Sequence, residues 1–323
     1  MSTVKDLIDL LPTIEWLWPS WIPRGFVSML AGYQGEGKSY VALSMVRSFL
    51  FDQPWPDGFR SGKTEKKVLW LDCEARQATL SQRCSQWKLP VDRIVIPDEP
   101  LSTPDLGNPN ERQKVINLII REDIPFVIVD SLSGSHTTEE TSNRDMANLL
   151  RPLSILARDR NIALLTIHHV RKRHENEPEE ITLERIRGAM AITQFCISVM
   201  VKETVKGVQR LRMEKCNLVQ KPHPIGVSIK ENEQGYGDVY FTGPLDIPVS
   251  SIDYDPAADW LAEELAEGPL DFHTLSEHAH DLGISWRQIY KAHRILGVKK
   301  LGRKWVLPNT SLFFETTKIQ EDL

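Results

Sequence analysis

The segment Gly32-Tyr33-Gln34-Gly35-Glu36-Gly37-Lys38-Ser39 decides the fold, because it matches the G-x-x-x-x-G-K-[ST] pattern of a phosphate-binding loop. An apolar run from Phe26 to Ala31 predicts a strand before the loop, and Ser39 to Leu50 predicts a helix after it. The backbone N–H groups of such a turn surround a phosphate chain, and the start of the helix adds partial positive charge. The segment therefore predicts a nucleotide site.

The polar residues of this loop have distinct expected roles. Lys38 is expected to neutralise the β- and γ-phosphates, and Ser39 is expected to bind Mg²⁺. Asp130 ends an apolar run, an arrangement that places a carboxylate beside the metal. ATP and Mg²⁺ are thus the expected ligands. The residues expected to bind them are Gly32, Gly35, Glu36, Gly37, Lys38, Ser39, Tyr40 and Asp130.

Short apolar runs recur between segments with helical patterns. Four runs predict strands of a sheet that helices cover on both faces: Phe26 to Ala31, Val68 to Asp72, Phe126 to Asp130 and Ile162 to Ile167. The predicted class is α/β with a mostly parallel sheet. Val208 to Met213 and Ile225 to Ile229 predict further strands, with an antiparallel arrangement as one option.

Two strand ends carry residues suited to hydrolysis. A base or water-orienting group is required near the γ-phosphate, and Glu74, just after the second predicted strand, is the candidate. Asp72 is the competing residue, and in a third interpretation both carboxylates cap the next helix. His168 and His169 follow the fourth predicted strand. We expect His169 to sense the γ-phosphate, with His168 as the alternative.

In this order the segments resemble the RecA-like ATPases, specifically the branch of RepA-type hexameric helicases of plasmids and related ATPases of phages and mobile elements. The resemblance spans Leu17 to Ile229. It implies that Glu74 activates water, that Asp130 holds magnesium and that His168 or His169 senses the γ-phosphate. The motifs that carry it are Trp18-Pro19, Pro23-Arg24-Gly25, GYQGEGKS, LWLDCEA, FVIVDSLS, LLTIHHVRK, IRGAMAI and MEKCN.

The resemblance also implies contacts beyond one subunit. Two loops, Gly134 to Arg144 and Arg171 to Arg187, would face DNA in a central channel. Lys215 would reach the nucleotide of a neighbouring subunit and so count among the catalytic residues with Lys38, Glu74 and His169. Family members often carry Lys-x-Arg or Lys-x-Lys where this chain has Lys-Cys-Asn, so Arg187 and Arg212 are alternatives. A solvated surface lysine is the structural alternative for Lys215.

The loop after His169 has balanced charge. Five cationic and five acidic residues lie between Arg171 and Arg187, so composition alone predicts no strong affinity for DNA. The basic start of the loop remains a candidate for contact with a DNA backbone. Its residues are Arg171, Lys172 and Arg173.

The carboxy-terminal part separates its charges. Pro256 to Ile284 contains seven acidic residues and no Lys or Arg, whereas Ser285 to Pro308 contains seven basic residues and no Asp or Glu. Such a positive half is typical of a nucleic-acid-binding module, although the whole chain has a net charge of -5. The basic residues predicted to bind DNA are Arg287, Lys291, Arg294, Lys299, Lys300, Arg303 and Lys304.

The patterns in this part predict a winged helix-turn-helix. Three helices are predicted, over Ala257 to Ala266, Phe272 to Leu282 and Ser285 to Leu296, followed by a hairpin over Val298 to Leu307. Ser285 and Gln288 form a capping box that opens the third helix, the predicted recognition helix. The alternative is a winged helix that binds another protein. Residues of the third helix at core spacing are Trp286, Ile289, Tyr290, His293 and Leu296.

The length of 323 residues predicts one large and one small domain. We expect an ATPase domain over 1–245, a linker over 246–255, a winged helix over 256–309 and a flexible tail over 310–323. The chain has no apolar run long enough to span a membrane and no secretion signal, and its four cysteines lack metal-ligand spacing. These features predict a cytoplasmic protein with reduced thiols.

The leading functional hypothesis is a DNA-dependent ATPase of replication or recombination, helicase-like and assembled as a homo-oligomer such as a hexamer. Single-stranded DNA would occupy its channel and duplex DNA its winged helix. The alternative is an ATP-switched initiator or regulator that binds DNA without strand separation. A third hypothesis is an ATPase that remodels a partner protein.

Overall fold

The computed structural model describes residues 3–4, 13–174, 177–188, 190–245, 256–266, 268–296, 298–301 and 304–307. The chain divides into two compact units, Met1–Asp246 and Ile247–Leu323, which are described separately. The predicted linker over 246–255 and the predicted tail over 310–323 lie outside the described residues. No helix in the described ranges is long and apolar enough to cross a membrane.

The first unit contains a short hairpin, β1 and β2, and a nine-stranded sheet. The strands in chain order are β1 (Trp16–Trp18), β2 (Ile22–Pro23), β3 (Phe26–Gly32), β4 (Val68–Asp72), β5 (Ile94–Val95), β6 (Phe126–Asp130), β7 (Ala163–His169), β8 (Cys196–Val205), β9 (Val208–Cys216), β10 (Ile225–Glu231) and β11 (Gly237–Pro244). Their order in the sheet is β11-β10-β9-β8-β3-β7-β6-β4-β5.

Strands β3 to β8 pair in parallel, and β9, β10 and β11 extend the sheet by antiparallel pairing. Helices cover both faces of the sheet, so its central strands are apolar on both sides. The predicted α/β class with a mostly parallel sheet is confirmed. The helices of this unit are α1 (Lys38–Phe51), α2 (Gln77–Gln86), α3 (Pro109–Arg121), α4 (Asn143–Arg160) and α5 (Met190–Phe195).

Two separate clusters of buried side chains form the core of this unit. On one face α3 and α4 pack against the sheet, with Leu118 and Leu153 among the buried residues. On the other face α1 packs against the same strands through Met45 and Phe49. Because β3, β4, β6 and β7 run in the same direction, their carboxyl ends meet at one edge of the sheet. This edge carries the polar residues of the predicted site.

A buried charge network lies on the antiparallel side of the sheet. Glu203 on β8 faces Arg210 on β9 directly, with Oε1 accepting a hydrogen bond from Arg210 Nε at 2.9 Å. The same oxygen accepts from Arg212 Nε at 2.8 Å, and Oε2 accepts from the backbone N–H of Ile181 at 2.7 Å. Glu203 is 1 % exposed and Arg210 is 3 % exposed, so these charges compensate one another away from water.

In its described residues the second unit has three helices and a three-stranded sheet. Its elements are α6 (Pro256–Ala266), β12 (Leu270–Asp271), α7 (Phe272–Asp281), α8 (Trp286–Ile295), β13 (Lys299–Leu301) and β14 (Lys304–Val306). β14 pairs in antiparallel fashion with both β12 and β13. The backbone N–H of Ser285 donates to Gln288 Oε1 at 2.8 Å, which is one half of the predicted capping box.

The core of the second unit differs from its prediction in one respect. Ile289 on α8 is buried with Leu261 of α6 and Trp305 of β14. Trp286 and Tyr290, which were expected at core positions, are 59 % and 38 % exposed. The ring of Tyr290 still contacts those of Phe272 and Trp305, whereas Trp286, in the first turn of α8, remains largely exposed.

Substitution of Glu203 by alanine is expected to lower the free energy of unfolding by about 3–5 kcal/mol, because Arg210 and Arg212 would remain buried without their shared carboxylate. Urea unfolding measures this change. Glu231→Ala is the control, since Glu231 is exposed on β10, and its effect is expected to stay within about 0.5 kcal/mol. Equal effects of the two substitutions would show that the buried network contributes nothing.

Candidate active site

The phosphate-binding loop joins the end of β3 at Gly32 to the start of α1 at Lys38. Gly35 and Gly37 have φ angles of 81° and 79°, in the left-handed region that side chains disfavour. A Cβ atom at Gly37 would lie 2.0 Å from Cδ1 of Ile229, and one at Gly32 would lie 2.7 Å from the Lys202 carbonyl oxygen. The loop therefore requires glycine for both conformation and space.

Lys38 lies under the loop and is 5 % exposed. Its Nζ donates hydrogen bonds to the carbonyl oxygens of Gly32 at 3.0 Å and Tyr33 at 2.7 Å. Burial lowers the pKa of Lys38 to about 8, although the carboxylates of Glu36, Asp130 and Glu74 act in the opposite direction. The ammonium is thus held near the loop by carbonyl groups and carboxylates, the position from which it can reach phosphate oxygens.

Asp130 and Ser39 supply oxygen atoms suited to a magnesium ion. Asp130 ends β6, Ser39 lies at the start of α1, and both line the same cavity. Burial, together with the carboxylates of Glu74 and Asp72, raises the pKa of Asp130 to about 6. Mg²⁺ is usually held by one or two protein oxygens with phosphate and water completing the shell. This pair fits such an ion.

Glu74 and Asp72 have different partners at the end of β4. Glu74 Oε1 accepts a hydrogen bond from Ser131 Oγ at 2.5 Å, and its Oε2 lies 2.9 Å from Arg76. Burial opposes ionisation of Glu74, but the Ser131 hydrogen bond and the Arg76 charge outweigh it and lower its pKa. Asp72 instead accepts from the backbone N–H groups of Glu74 at 3.0 Å and Arg76 at 2.7 Å. Asp72 therefore shapes the turn that presents Glu74.

The two histidines at the end of β7 also have different surroundings. His169 Nδ1 lies 3.3 Å from Lys38 Nζ, and its Nε2 lies 3.5 Å from Glu74 Oε1. Burial and the Lys38 ammonium lower the pKa of His169, which favours a neutral ring that accepts from Lys38 and donates to Glu74. His168 is fully buried, and its Nε2 lies 2.8 Å from the Arg187 carbonyl oxygen. His169 faces the site and His168 does not.

One cavity of about 180 Å³ is lined by Lys38, Ser39, Asp72, Glu74, Asp130 and His169. Sequence reasoning missed two arginines that line it, Arg76 and Arg83. Arg76 is the residue before α2 and Arg83 lies in its second turn, so no helical spacing in the sequence links them to the site. Arg83 Cζ lies 3.7 Å from the centroid of the Tyr40 ring, so these two side chains form a flat wall of the cavity.

The remaining predicted residues of the first unit lie outside this cavity. Lys215 Nζ donates to the carbonyl oxygens of Thr193 at 2.8 Å and Cys196 at 2.9 Å. Arg171 forms an ion pair with Glu177, whereas Lys172 and Arg173 are exposed.

Part of the predicted DNA-binding set of the second unit can be placed. Arg287, Lys299, Lys300 and Lys304 are exposed. Lys291 and Arg294 belong to α8, with side chains outside the described part, and Arg303 lies outside the described residues.

The fold and this cavity define a P-loop ATPase with an α/β fold built on a mostly parallel sheet. The sequence matches the AAA domain family over residues 2–175, and the chain belongs to that family.

Two solved structures are similar to this chain. A KaiC-like protein from the hyperthermophilic archaeon Pyrococcus horikoshii OT3 is 14% identical with a TM-score of 0.49, and the match covers 70% of this chain and 96% of that protein. The RadB recombinase is 18% identical with a TM-score of 0.44, and the match covers 67% and 92%. A search of curated proteins returns no match.

Replacement of Glu74 by glutamine is expected to preserve ATP binding and to lower kcat by about 10²–10⁴-fold, because the carboxylate predicted to activate water is lost. Asp72→Asn is the matched control. It removes a turn-forming carboxylate, so it is expected to lower the melting temperature more than kcat. Steady-state ATPase assays and thermal unfolding decide between them, and a larger kcat loss in Asp72→Asn would contradict the assignment.

Replacement of Asp130 by asparagine is expected to stabilise the nucleotide-free protein near neutral pH by about 1–3 kcal/mol. The folded pKa of Asp130 is raised from 3.8 to about 6, so ionisation in the folded state costs free energy above pH 6. The gain should shrink as pH falls through this range and vanish below the unfolded pKa. Urea unfolding of both proteins between about pH 4 and pH 8 measures it. Parallel stability curves for the two proteins would contradict the prediction.

Proposed function

We propose that the chain is a DNA-dependent ATPase of replication or recombination, a ring-forming, helicase-like motor of a mobile element. The convergence of Lys38, Asp130, Glu74 and His169 on one cavity carries the proposal. These residues come from the carboxyl ends of β3, β6, β4 and β7 or from just beyond them, where open α/β sheets bind their ligands.

Each residue has a role in this proposal. Lys38 binds the β- and γ-phosphates, and Ser39 and Asp130 hold Mg²⁺, which neutralises charge on the phosphates when bound. Glu74 has a lowered pKa and stays ionised at neutral pH, so it accepts a hydrogen bond from the attacking water and orients it. His169 touches both Lys38 and Glu74, so a change at the γ-phosphate alters its two contacts together.

The phosphate-binding loop contacts the loop between β7 and α5, one of the two loops proposed to face DNA. Arg185 in that loop is fully buried and donates to the Tyr33 hydroxyl of the phosphate-binding loop. Glu140, in the other loop, lies 3.4 Å from Arg187 Nε. A nucleotide that displaces Tyr33 would therefore act on both loops, which supports coupling between hydrolysis and DNA.

The proposed ring requires a cation that reaches the neighbouring nucleotide. Lys215 is held by two carbonyl oxygens, and Arg212 is held by Glu203 and Glu214. The side chain of Arg187 is 65 % exposed, and its contact with Glu140, at 3.4 Å, is longer than that of Arg212 with Glu203 at 2.8 Å. We therefore propose Arg187 as the trans-acting residue ahead of Lys215 and Arg212.

The second candidate function is an ATP-switched initiator or regulator that binds duplex DNA through the second unit, proposed to be a winged helix. One observation favours it. Arg171 is paired with Glu177 and Arg185 is buried, so the loop after β7 offers fewer free cations than its sequence contains. Under this alternative the exposed cations of the second unit supply the DNA affinity and hydrolysis is slow.

ATP hydrolysis with and without single-stranded DNA tests the proposal, with Lys38→Ala as the inactive control. The motor function predicts strong stimulation by single-stranded DNA, also in a chain that ends at Tyr254. The regulator function predicts that this shortened chain loses all DNA binding. Absence of stimulation in the full chain would contradict the motor. A native-mass measurement with ATP and single-stranded DNA tests assembly in the same samples.

A further inference from the structure

The aromatic side chains of the second unit form a continuous row that ends at the surface. Trp305 of β14 is 2 % exposed and packs against Tyr290, with ring centroids 5.5 Å apart. Tyr290 contacts Trp286 edge to face at 6.1 Å. Trp286 begins α8 and is 59 % exposed. The row therefore leads from the core of the unit to an indole ring that solvent reaches.

Trp286 stands apart from the other tryptophans. The chain has nine, all within the described residues, and Trp286 alone is exposed. Tryptophan is highly buried on average in folded proteins, because its large apolar surface gains free energy on leaving water. The exposed indole of Trp286, which packs edge to face against Tyr290, thus presents a flat apolar surface to solvent.

Cations flank the row at both ends. The Arg287 guanidinium lies 5.7 Å from the centroid of the Trp286 ring, and Lys300 Nζ lies 6.0 Å from the centroid of the Trp305 ring. Lys299 and Lys304 are also exposed, and the stretch from Ser285 to Pro308 contains no Asp or Glu. No acidic residue of this stretch neutralises the cations, so the surface complements a phosphate backbone.

We propose that Trp286 is a stacking platform for an unpaired base of single-stranded DNA, with Arg287, Lys299 and Lys300 holding the neighbouring phosphates. The proposal rests on the proposed DNA-binding function of the second unit and names the form of DNA that this surface takes. It differs from the sequence expectation, in which α8 reads duplex DNA and Trp286 belongs to the core.

The chemistry of the surface favours a single strand over a duplex. The faces of bases in a duplex are covered by their neighbours, whereas an unpaired base exposes a π-face that stacks on an aromatic ring whatever its identity. Duplex recognition by a helix in the major groove uses polar side chains that reach base edges. An indole in the first turn of α8 offers a single N–H donor and a large flat face, which is suited to stacking.

The test measures equilibrium binding of the full chain to a labelled single-stranded oligonucleotide and to a duplex of the same sequence, over a range of salt concentrations. Trp286→Ala is expected to weaken single-strand binding by about 5- to 150-fold. It should leave duplex binding and the slope of log K against log salt unchanged, because stacking releases no counterions. Lys299→Ala should reduce the single-strand slope by about 0.7.

Two variants control for folding and for loss of apolar surface. Trp286→Phe keeps an aromatic face and should retain most of the affinity. Leu282→Ala removes a side chain that is 63 % exposed in the same unit and should change nothing. Thermal unfolding and ATP turnover report on the integrity of each variant.

Three outcomes would overturn the inference. If Trp286→Ala loses affinity equally for single strand and duplex, Trp286 makes a groove contact instead. If the variant binds single-stranded DNA as tightly as the wild type, the stacking role is removed while the proposed DNA-dependent ATPase remains intact. A wild-type chain that binds neither form of DNA would overturn the proposed function together with this inference.

Discussion

The buried ammonium of Lys38 is the group around which the carboxyl edge of the sheet is organised. Burial disfavours its charge, and the carboxylates of Glu36, Asp130 and Glu74 favour it. The carboxylates in turn disfavour one another, since Glu74 contributes to the raised pKa of Asp130. A magnesium ion beside Asp130 would offset the repulsion between the carboxylates, and phosphates beside Lys38 would offset the cost of burying its charge. Each ligand is therefore expected to raise the affinity for the other.

The loop between β7 and α5 shows how this edge extends into the rest of the first unit. Arg185 donates to the carbonyl oxygens of Pro178 at 3.0 Å and Glu180 at 2.8 Å, and it also contacts Tyr33. The Arg185 side chain thus connects two parts of its own loop and joins that loop to the phosphate-binding loop. The Glu203 network anchors the same loop from β8 through Ile181. The loop is held between the nucleotide side and the antiparallel side of the sheet.

The sequence predicts the parallel part of this fold well, because β3, β4, β6 and β7 are short apolar runs that end in polar residues. It does not predict β8, since this strand contains Lys202 and Glu203, which read as surface residues. They are buried only because Arg210 and other groups on neighbouring segments compensate them. Such pairing depends on tertiary contacts that no local pattern encodes.

The candidate site follows the same division. Lys38, Ser39 and Asp130 are recognisable from spacing. Spacing does not show whether Asp72 or Glu74 is the catalytic candidate, because that depends on which carboxylate accepts hydrogen bonds from the backbone N–H groups that follow. In the second unit, spacing defines the apolar side of α8. It does not define how much of that side is covered by the elements that pack against the helix. The exposure of Trp286 is therefore visible only in the structure.

The use of arginine differs between the two units, and this difference bears on which unit would hold the proposed DNA substrate. In the first unit Arg171, Arg210 and Arg212 each form an ion pair with glutamate, so internal carboxylates already neutralise their charge. In the second unit the basic stretch has no acidic residue of its own. Because release of counterions by cations supplies most non-specific affinity for nucleic acid, the second unit would be the stronger source of attraction under the proposed DNA-binding function. The ATPase unit would then act on DNA that the second unit retains, and its own loops need only weak, nucleotide-dependent contacts with the strand.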